Sequence, residues 1–491
     1  MITISRQLVK HLRGVFRRML PRSPSKADQT VHFIASGDGL RVRLHNRAGA
    51  AEYRLTGTTH VEAFAVTLDA LSACEGTRAE ENVILEAGDS GVALRWDDRS
   101  VPRSIIVESQ PTGTEAPATP TEFASNPSRL LTALKDAMET TESDARRYAL
   151  NCVQLGGRDG CLAATDGGQI LKQSGFAFPW PDDLLVQRST VFANRDLPAD
   201  QPVEIGRTDN HVVIRIGPWT LWFNIEKVGR FPNIDNVIPD ATTATTRLVL
   251  NDNDAEYLLG VVPRLPSHDA DHDPLTVDLN GRVALLAKSV GDSPMTQVVL
   301  SNSRRTGAEL RWQTNRKFLA RAMRLGFREV CLHGAETPPV CRDEHRAYVW
   351  ALLEADKALA PTDNMVSLTS PVSTVAAIAQ RQRIPAPRRH HQPTERTSSR
   401  MSHNRIAATL AGSATPPVNG SAPPVAEPSE PADQSTSFGT VLREAEAVKT
   451  SLRDSHGKVS RLIAALKRHR RQSKLVQSTL ASLKQLQSLE A

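Results

Sequence analysis

Two groups of side chains in this sequence have the types and spacing to do chemistry. The run His268-Asp269-Ala270-Asp271-His272-Asp273 offers imidazoles and carboxylates, donors that hold a divalent metal or activate water. It lies between Pro266 and Pro274 with no second ligand cluster elsewhere, so a hydrated loop is the simpler reading and metal-dependent hydrolysis the alternative. The second group is Arg6, Lys10, Arg13 and Arg17, spaced by about one helical turn, two residues ahead of Leu8, Leu12, Val15 and Met19. Two residues are roughly 200° of helix rotation, so the cations are expected opposite the apolar stripe. The row contains no acidic residue. It suits contact with successive phosphates, a solvated face or a membrane surface. No Gly-rich phosphate loop, nucleophile elbow, H-E-x-x-H or paired-carboxylate motif occurs, so neither an enzyme nor a cofactor is expected.

The elements that position these residues must come from a long chain. Its 491 residues correspond to about three domains, and 40% apolar residues suffice for real cores. With only 4% aromatics those cores should rest on Leu, Val, Ile and Ala. No stretch approaches the roughly 18 apolar residues of a membrane span, and the N-terminal arginines do not fit a secretory signal. Cys74, Cys152, Cys161, Cys331 and Cys341 show no C-x-x-C spacing. They are expected as reduced thiols in a cytoplasmic protein, without zinc or disulfides. Cys331 and Cys341 read as strand residues, not nucleophiles. The net charge of +6 is unevenly placed: +6 lies in residues 1–22, −9 in 23–360 and +9 in 361–491. Positive charge is concentrated rather than spread.

Residues 361–437 hold 11 of the 31 prolines and no aromatic residue, the composition of a disordered linker. Shorter breaks of that kind are Ser109–Pro120 and Pro239–Thr246. The blocks between them repeat: an extended stretch, an amphipathic helix, then a two-strand unit turning on Asp38-Gly39, Asp159-Gly160 or Asn280-Gly281, pairs suited to positive φ. The three glycines are 121 residues apart, twice. A second short helix is expected near Val66–Cys74, Gln187–Arg195 and Asn315–Leu325. The sequence therefore predicts a threefold α+β repeat.

The middle block carries Arg147-Tyr148-Ala149-Leu150-Asn151, Ala164-Thr165-Asp166-Gly167, and Gly229-Arg230-Phe231-Pro232 with Val237-Ile238-Pro239. In this order and spacing the motifs resemble the bacterial DNA polymerase III β subunit, the sliding clamp. Asn315-Arg316-Lys317-Phe318-Leu319 and Ala347-Tyr348-Val349 of the third block are similar to that family as well. The resemblance covers residues 1 to about 356, with block one matching by pattern only. It implies clamp domains at 1–115, 120–245 and 246–356, forming half of a ring; composition and heptad spacing add a disordered linker at 360–436 and a helical hairpin or coiled coil at 437–490, an extension the family pattern lacks. The resemblance implies a processivity factor for DNA replication: a head-to-tail homodimer encircling duplex DNA without sequence preference, tethering the polymerase III catalytic subunit, the clamp loader and other clients, with no catalytic site and no membrane contact. The DNA-facing cations would be Arg6, Lys10, Arg13 and Arg17, with Arg188, Arg195, Arg316, Lys317, Arg321 and Arg324 on the second helices.

By the same resemblance, clients would insert a short peptide with Leu and aromatic anchors into a cleft between the second and third domains. Matching positions are Leu150, Thr165, Gly167, Ile170, Pro232, Val237, Asn315, Phe318, Val349, Ala351 and Leu353; core packing is the competing reading for Leu150, Val237 and Val349. Two departures touch this cleft. Gly168-Gln169-Ile170 stands where the family has His-Arg-Leu, and Ala351-Leu352-Leu353-Glu354 replaces the usual Met-Pro-Met-Arg-Leu ending. Beyond the linker, apolar residues from Val441 to Leu483 follow a broken heptad spacing, around the cationic run Lys467-Arg468-His469-Arg470-Arg471. That run fits a solvated face or a second DNA contact. Gln485-Leu486-Gln487-Ser488-Leu489 resembles a clamp-binding peptide without its final aromatic, which would allow the tail to dock in the cleft. A clamp-fold scaffold that has left replication, with the tail as its main interaction element, is the other reading of the whole.

Overall fold

The structure, a computed structural model, describes residues 1–57, 60–112, 115–143, 148–291 and 293–372. The expected C-terminal helices, the Lys467–Arg471 run and the 485–489 peptide lie outside the described residues, as does Arg147.

One order of elements occurs three times, with one strand added in the third pass. The first pass is β1 (Ile2–Ser5), α1 (Arg6–Met19), β2 (Thr30–Ser36), β3 (Gly39–Asn46), β4 (Gly49–Thr56), β5 (Glu62–Thr67), a 3-10 turn at Ala70–Ala73, β6 (Asn82–Gly88), β7 (Gly91–Asp98) and β8 (Val101–Val107). The second is β9 (Ala124–Asn126), α2 (Arg129–Thr140), β10 (Cys152–Gly156), β11 (Cys161–Thr165), β12 (Gln169–Gln173), β13 (Asp183–Gln187), a 3-10 turn at Val191–Ala193, β14 (Val203–Arg207), β15 (His211–Ile216) and β16 (Trp219–Asn224). The third is β17 (Thr246–Val249), α3 (Asp252–Val261), β18 (Pro274–Asp278), β19 (Ala284–Ala287), β20 (Met295–Val299), β21 (Arg304–Gly307), β22 (Arg311–Asn315), α4 (Arg316–Arg324), β23 (Glu329–Leu332), β24 (Val340–Arg342) and β25 (Arg346–Trp350). The added strand is β21, on the outer edge of β17.

Pairing repeats too. The first half of each pass builds a sheet in the order β5-β2-β3-β4, β13-β10-β11-β12 or β22-β18-β19-β20. The second half builds β1-β6-β7-β8, β9-β14-β15-β16 or β17-β23-β24-β25. Adjacent passes fuse edge to edge and antiparallel, β4 on β16 and β12 on β25, so continuous sheets cross both joints. The hairpins expected from the 121-residue spacing are those of β2–β3, β10–β11 and β18–β19, and Gly39, Gly160 and Gly281 all have positive φ. Their lengths differ and the expected two-residue turns are corrected: Ser36 pairs with Gly39, so the first turn is Gly37-Asp38, four residues separate Gly156 from Cys161, and five separate Asp278 from Ala284. Asp38, Asp159 and Asn280 do not have positive φ.

The strands alternate, and the helices lay one apolar face on the sheets. The few aromatics are placed centrally. Phe16 meets Trp219 edge to face at 5.7 Å, and Trp312, Tyr348 and Trp350 are fully buried together in the third core. Leu, Val, Ile and Ala still make up most of the buried apolar residues. Two of the three expected second helices are also corrected. Only α4 is an α-helix; Ala70–Ala73 and Val191–Ala193 are single 3-10 turns. In the latter the β-branched Thr190-Val191 entry and Pro198 leave little room for regular helix. The segment read as linker begins with order: residues 361–372 lie on the third repeat and include β26 (Met365–Thr369). All five cysteines are buried and unpaired.

Candidate DNA-facing helices and a candidate peptide cleft

The helical elements lie beside one another. α1 meets the Val191–Ala193 turn, where Arg18 Nη1 donates to the Thr190 carbonyl at 3.2 Å. The same turn packs on α2, α2 is tied to α4, and α4 packs on α3. The ten expected DNA-facing cations distribute along this row unequally.

α1 starts at Ser5, whose hydroxyl accepts from the Leu8 N–H at 3.1 Å. Its buried face is Val9, Leu12, Val15, Phe16 and Met19, rotated from the expected stripe so that Leu8 is only half-buried. The rotation brings the start of the cation row onto the body. Arg6 is buried, donating to the carbonyls of Cys74, Glu75 and Asp97 and to Glu81 at 2.8 Å. Arg13 pairs with Glu75 and donates to the Leu68 carbonyl. Lys10 and Arg17 stay exposed. Assigning Arg6 to a DNA-facing surface is therefore corrected: its five-donor fork ties α1 to the chain segment before β6.

Arg316 is corrected for the same reason. It is 5% exposed, and its guanidinium donates to the carbonyls of Leu265 and Pro266 at 2.6 Å each, with longer contacts to Val262, Asp273 and Pro274. Burial lowers its pKa, which the nearby Asp273 opposes. Lys317 is exposed and paired with Asp273 at 2.9 Å. Arg321 crosses the second joint, donating to Glu139 at 2.7 Å and to the Asp136 carbonyl at 2.9 Å. Arg188, Arg195 and Arg324 are exposed, the first two flanking the 3-10 turn rather than lying on a helix. Of the ten, Lys10, Arg17, Arg188, Arg195 and Arg324 thus have exposed side chains and no ion pair among the described residues.

The candidate cleft sits on the β12–β25 joint. Ile170 and Val349 are register partners there, fully buried, in one apolar cluster with Ala163, Ile234, Cys331 and Val340. Phe231, Val237, Ile238 and Ala351 pack on that cluster and are partly exposed. Above it the Thr165–Gln169 turn is fastened by its own side chains. The Thr165 hydroxyl donates to the Gln169 carbonyl at 2.6 Å, and Asp166 accepts the N–H groups of Gly168 and Gln169 at 2.8 and 2.9 Å. Burial pushes the Asp166 carboxyl up, while Gln169 Nε2 at 2.8 Å and those N–H groups oppose the shift. Gln169 Oε1 accepts from the Tyr348 hydroxyl at 2.7 Å; burial pushes that phenol well up, keeping it a donor. Gly167 has φ +87°, so the turn needs a glycine there.

A third segment closes on this turn. A Cβ on Gly168 would stand 3.0 Å from Phe318 Cζ, so the Phe318 ring lies over the residue that replaces the family's histidine. The Ala351 N–H donates to the Gly168 carbonyl at 2.8 Å. Thr165, Gly167, Ile170, Val237, Phe318, Val349 and Ala351 are thus brought together. Pro232 is buried within the segment between Phe231 and Ile234. Asn315 instead caps α4, accepting from the Lys317 N–H at 2.9 Å. Leu150 is buried outside the cluster, and half-buried Leu353 donates its N–H to Gln313. Sequence reading missed Ile234, Cys331 and Val340 as cleft residues; the unbroken apolar run Val330-Cys331-Leu332 was the available signal. An open cavity of about 380 Å³ adjoins the joint, lined by Lys172, Asp235, Ile238 and Arg342 among others.

The His268–Asp273 loop spends its groups on protein partners. His272 Nδ1 lies 2.8 Å from Asp269, and Asp273 pairs with Lys317. Among the described residues no cluster of His, Cys, Asp or Glu is placed to hold a metal, and no helix is long and apolar enough to cross a membrane.

No protein-family model and no curated protein matches this sequence. Solved structures do match. A sliding clamp (DNA polymerase III subunit beta) from Pseudomonas aeruginosa bound to griselimycin shares 16% identity at TM-score 0.61, over 72% of this chain and 99% of that one. The sliding clamp from Bacillus subtilis shares 13% at TM-score 0.59, over 72% and 98%. The polymerase III beta chain from Streptococcus pneumoniae shares 13% at 0.58, over 72% and 99%. The body of this chain therefore has the fold of the bacterial DNA polymerase III β sliding clamps.

Proposed function

We propose that this chain is a processivity clamp, a non-catalytic protein that joins a second copy head to tail around duplex DNA and tethers a replicative polymerase and other clients in the cytoplasm. The observation that carries this reading is the threefold order of strand, helix, four strands, a turn or short helix, and three strands (with β21 added in the third), fused edge to edge and alike over nearly the whole length of the solved clamps. Lys10, Arg17, Arg188, Arg195 and Arg324 would attract phosphates without reading bases, which permits sliding. Arg13, Lys317 and Arg321 are already paired and would contribute less.

The cluster around Ile170, Val237, Val349 and Ala351, with Phe318 at its rim, would take client peptides. Two apolar anchors are worth roughly 1.5–3 kcal/mol each, which suits exchange between clients. Glycine at 168 and the loss of the Met-Pro-Met-Arg-Leu ending make the rim smaller than the family pattern. The test is retention: loaded protein should stay on closed circular DNA and be lost when the circle is cut. Equal loss from circular and linear DNA would exclude topological encirclement.

A further inference from the structure

The joints obey one rule. The outer strand of a repeat's first sheet accepts, antiparallel, the last strand of the next repeat: β4 takes β16 and β12 takes β25. By that rule β20 is the strand that would accept a closing partner. Its counterpart is β8, the last strand of the first repeat, which ends its sheet with no further neighbour among the described residues. Within one chain the two stand at opposite ends of the repeat series, so the partner of β20 would be the β8 of a second copy.

The β20 edge is already taken. β26 runs along it in parallel register, from Met295 opposite Met365 to Val299 opposite Thr369. β19 holds the other edge of β20, and a strand has only two edges, so β26 and an incoming β8 exclude each other. The chain reaches this position by fixed contacts. Gln313 Nε2 donates to the Lys357 carbonyl at 3.0 Å, and the Leu359 N–H donates to Thr276 Oγ1 at 2.9 Å.

Past β26 the segment is pinned at one point. Ser370 is 2% exposed; its N–H donates to the Val299 carbonyl at 2.9 Å and its hydroxyl to Asp254 Oδ1 at 2.6 Å. Ser370 Oγ also accepts from the Ser301 N–H at 2.9 Å, and Asn302 Nδ2 donates to the Pro371 carbonyl at 2.8 Å. Asp254 is fully buried on α3 and also accepts from Asn302 and Ser303. The strand itself buries little: Val366 is 49% and Leu368 37% exposed. A segment held by a backbone ladder and one polar pin, with few side chains in the core, can leave without unfolding what it covers.

We propose that residues 353–372 are a strap that caps the ring-closing edge, so that closure with a second copy through β8 requires its release. The proposal rests on the clamp reading. The test compares three forms of the full chain by sedimentation across protein concentrations: the natural sequence, Ser370→Asp, and Gln297→Cys/Ser367→Cys, oxidised. Ser370→Asp sets a second carboxylate against buried Asp254 and should free the strap. The cysteine pair joins register partners and should lock it; the five native thiols are buried and would not compete. Ser370→Asp should dimerise with a dissociation constant at least about tenfold lower than the natural chain. The oxidised pair should remain monomeric where Ser370→Asp is dimeric, and reduction should restore natural behaviour. Equal dimerisation of all three forms overturns the strap and leaves the ring reading standing. Monomers in all three overturn both.

Discussion

Arg316 and Arg324 lie on the same short helix, and the structure gives them opposite tasks. Replacing Arg316 by Ala removes a buried guanidinium that satisfies the carbonyls of Leu265 and Pro266 and contacts those of Val262, Asp273 and Pro274. Charge-assisted hydrogen bonds contribute roughly 1.5–3 kcal/mol each. Only the two 2.6 Å contacts are short, and some orphaned carbonyls will recruit water, so the loss should be about 4 kcal/mol. In a body of this size that lowers Tm by about 5 °C. Arg316→Lys should fall between, since an ammonium has three donors and no planar fork. Arg324→Gln should leave Tm within about 1 °C. Affinity for linear duplex, measured by anisotropy over a salt series, should behave inversely. Arg324→Gln, Lys10→Gln and Arg17→Gln should each flatten the slope of log K against log salt by about 0.9. Arg316→Ala, measured below its Tm, should leave the slope unchanged. A flattened slope with intact Tm in Arg316→Ala would refute its assignment to the interior. An unchanged slope in the Lys10/Arg17/Arg324 triple variant would refute the DNA-facing set.

Val237 is half-buried at the edge of the candidate cleft, so Val237→Asp should weaken binding of a peptide carrying Leu and an aromatic by about tenfold or more with little change in Tm. Calorimetry with such a peptide checks this, and unchanged affinity would move the cleft elsewhere. Burial pushes the thiols of Cys74, Cys161 and Cys331 up to about 11 and that of Cys152 to about 12, so a thiol reagent at pH 8 should label none of them until the body unfolds. In the His268–Asp273 loop, the hydrogen bond from His272 is the main cause holding Asp269 at about 2 against an ordinary 3.8. Because the folded value is the lower one, this contact stabilises above pH 4 and the contribution is lost as pH falls through about 2. His272→Ala should raise the Asp269 pKa, which a carboxyl-carbon NMR titration reads directly.

What the sequence disclosed and what it concealed differ in the range of the interactions involved. The hairpin glycines could be read because a turn is specified within a few residues, and Gly39, Gly160 and Gly281 each stand at positive φ. The Thr165-Asp166-Gly167 run could be read for the same reason: its hydroxyl, carboxylate and glycine fasten one turn. Arg6 and Arg316 were misplaced because their partners are carbonyls some 42 to 91 positions away, which no local pattern reports. The phase of α1 failed similarly. Leu8 and Val9 are both apolar, and the sheet below determines which of them is covered. β26 was hidden by composition: Met365-Val366-Ser367-Leu368-Thr369 alternates over only five residues beside prolines and serines, and its partner is the exposed edge of β20.

The three long helices opening the repeats show that the proposed attraction for DNA is unequal along the chain. α1 has six basic or imidazole side chains and no acid. α2 carries Asp136 and Glu139, both engaged by Lys135 and Arg321 across the joint. α3 has no cation; Asp252 is held by Arg328 and Asp254 by the Ser370 pin, leaving Glu256 exposed. A duplex drawn to this row would be held mainly beside α1 and the Val191–Ala193 turn and would be repelled weakly at α3. The exposed Asp252 and Glu256 would supply that repulsion, whereas Asp254 is buried as the strap's anchor. On the strap proposal, release would expose the β20 edge and remove the Ser370 hydroxyl from Asp254, which would keep its donors from Asn302 and Ser303.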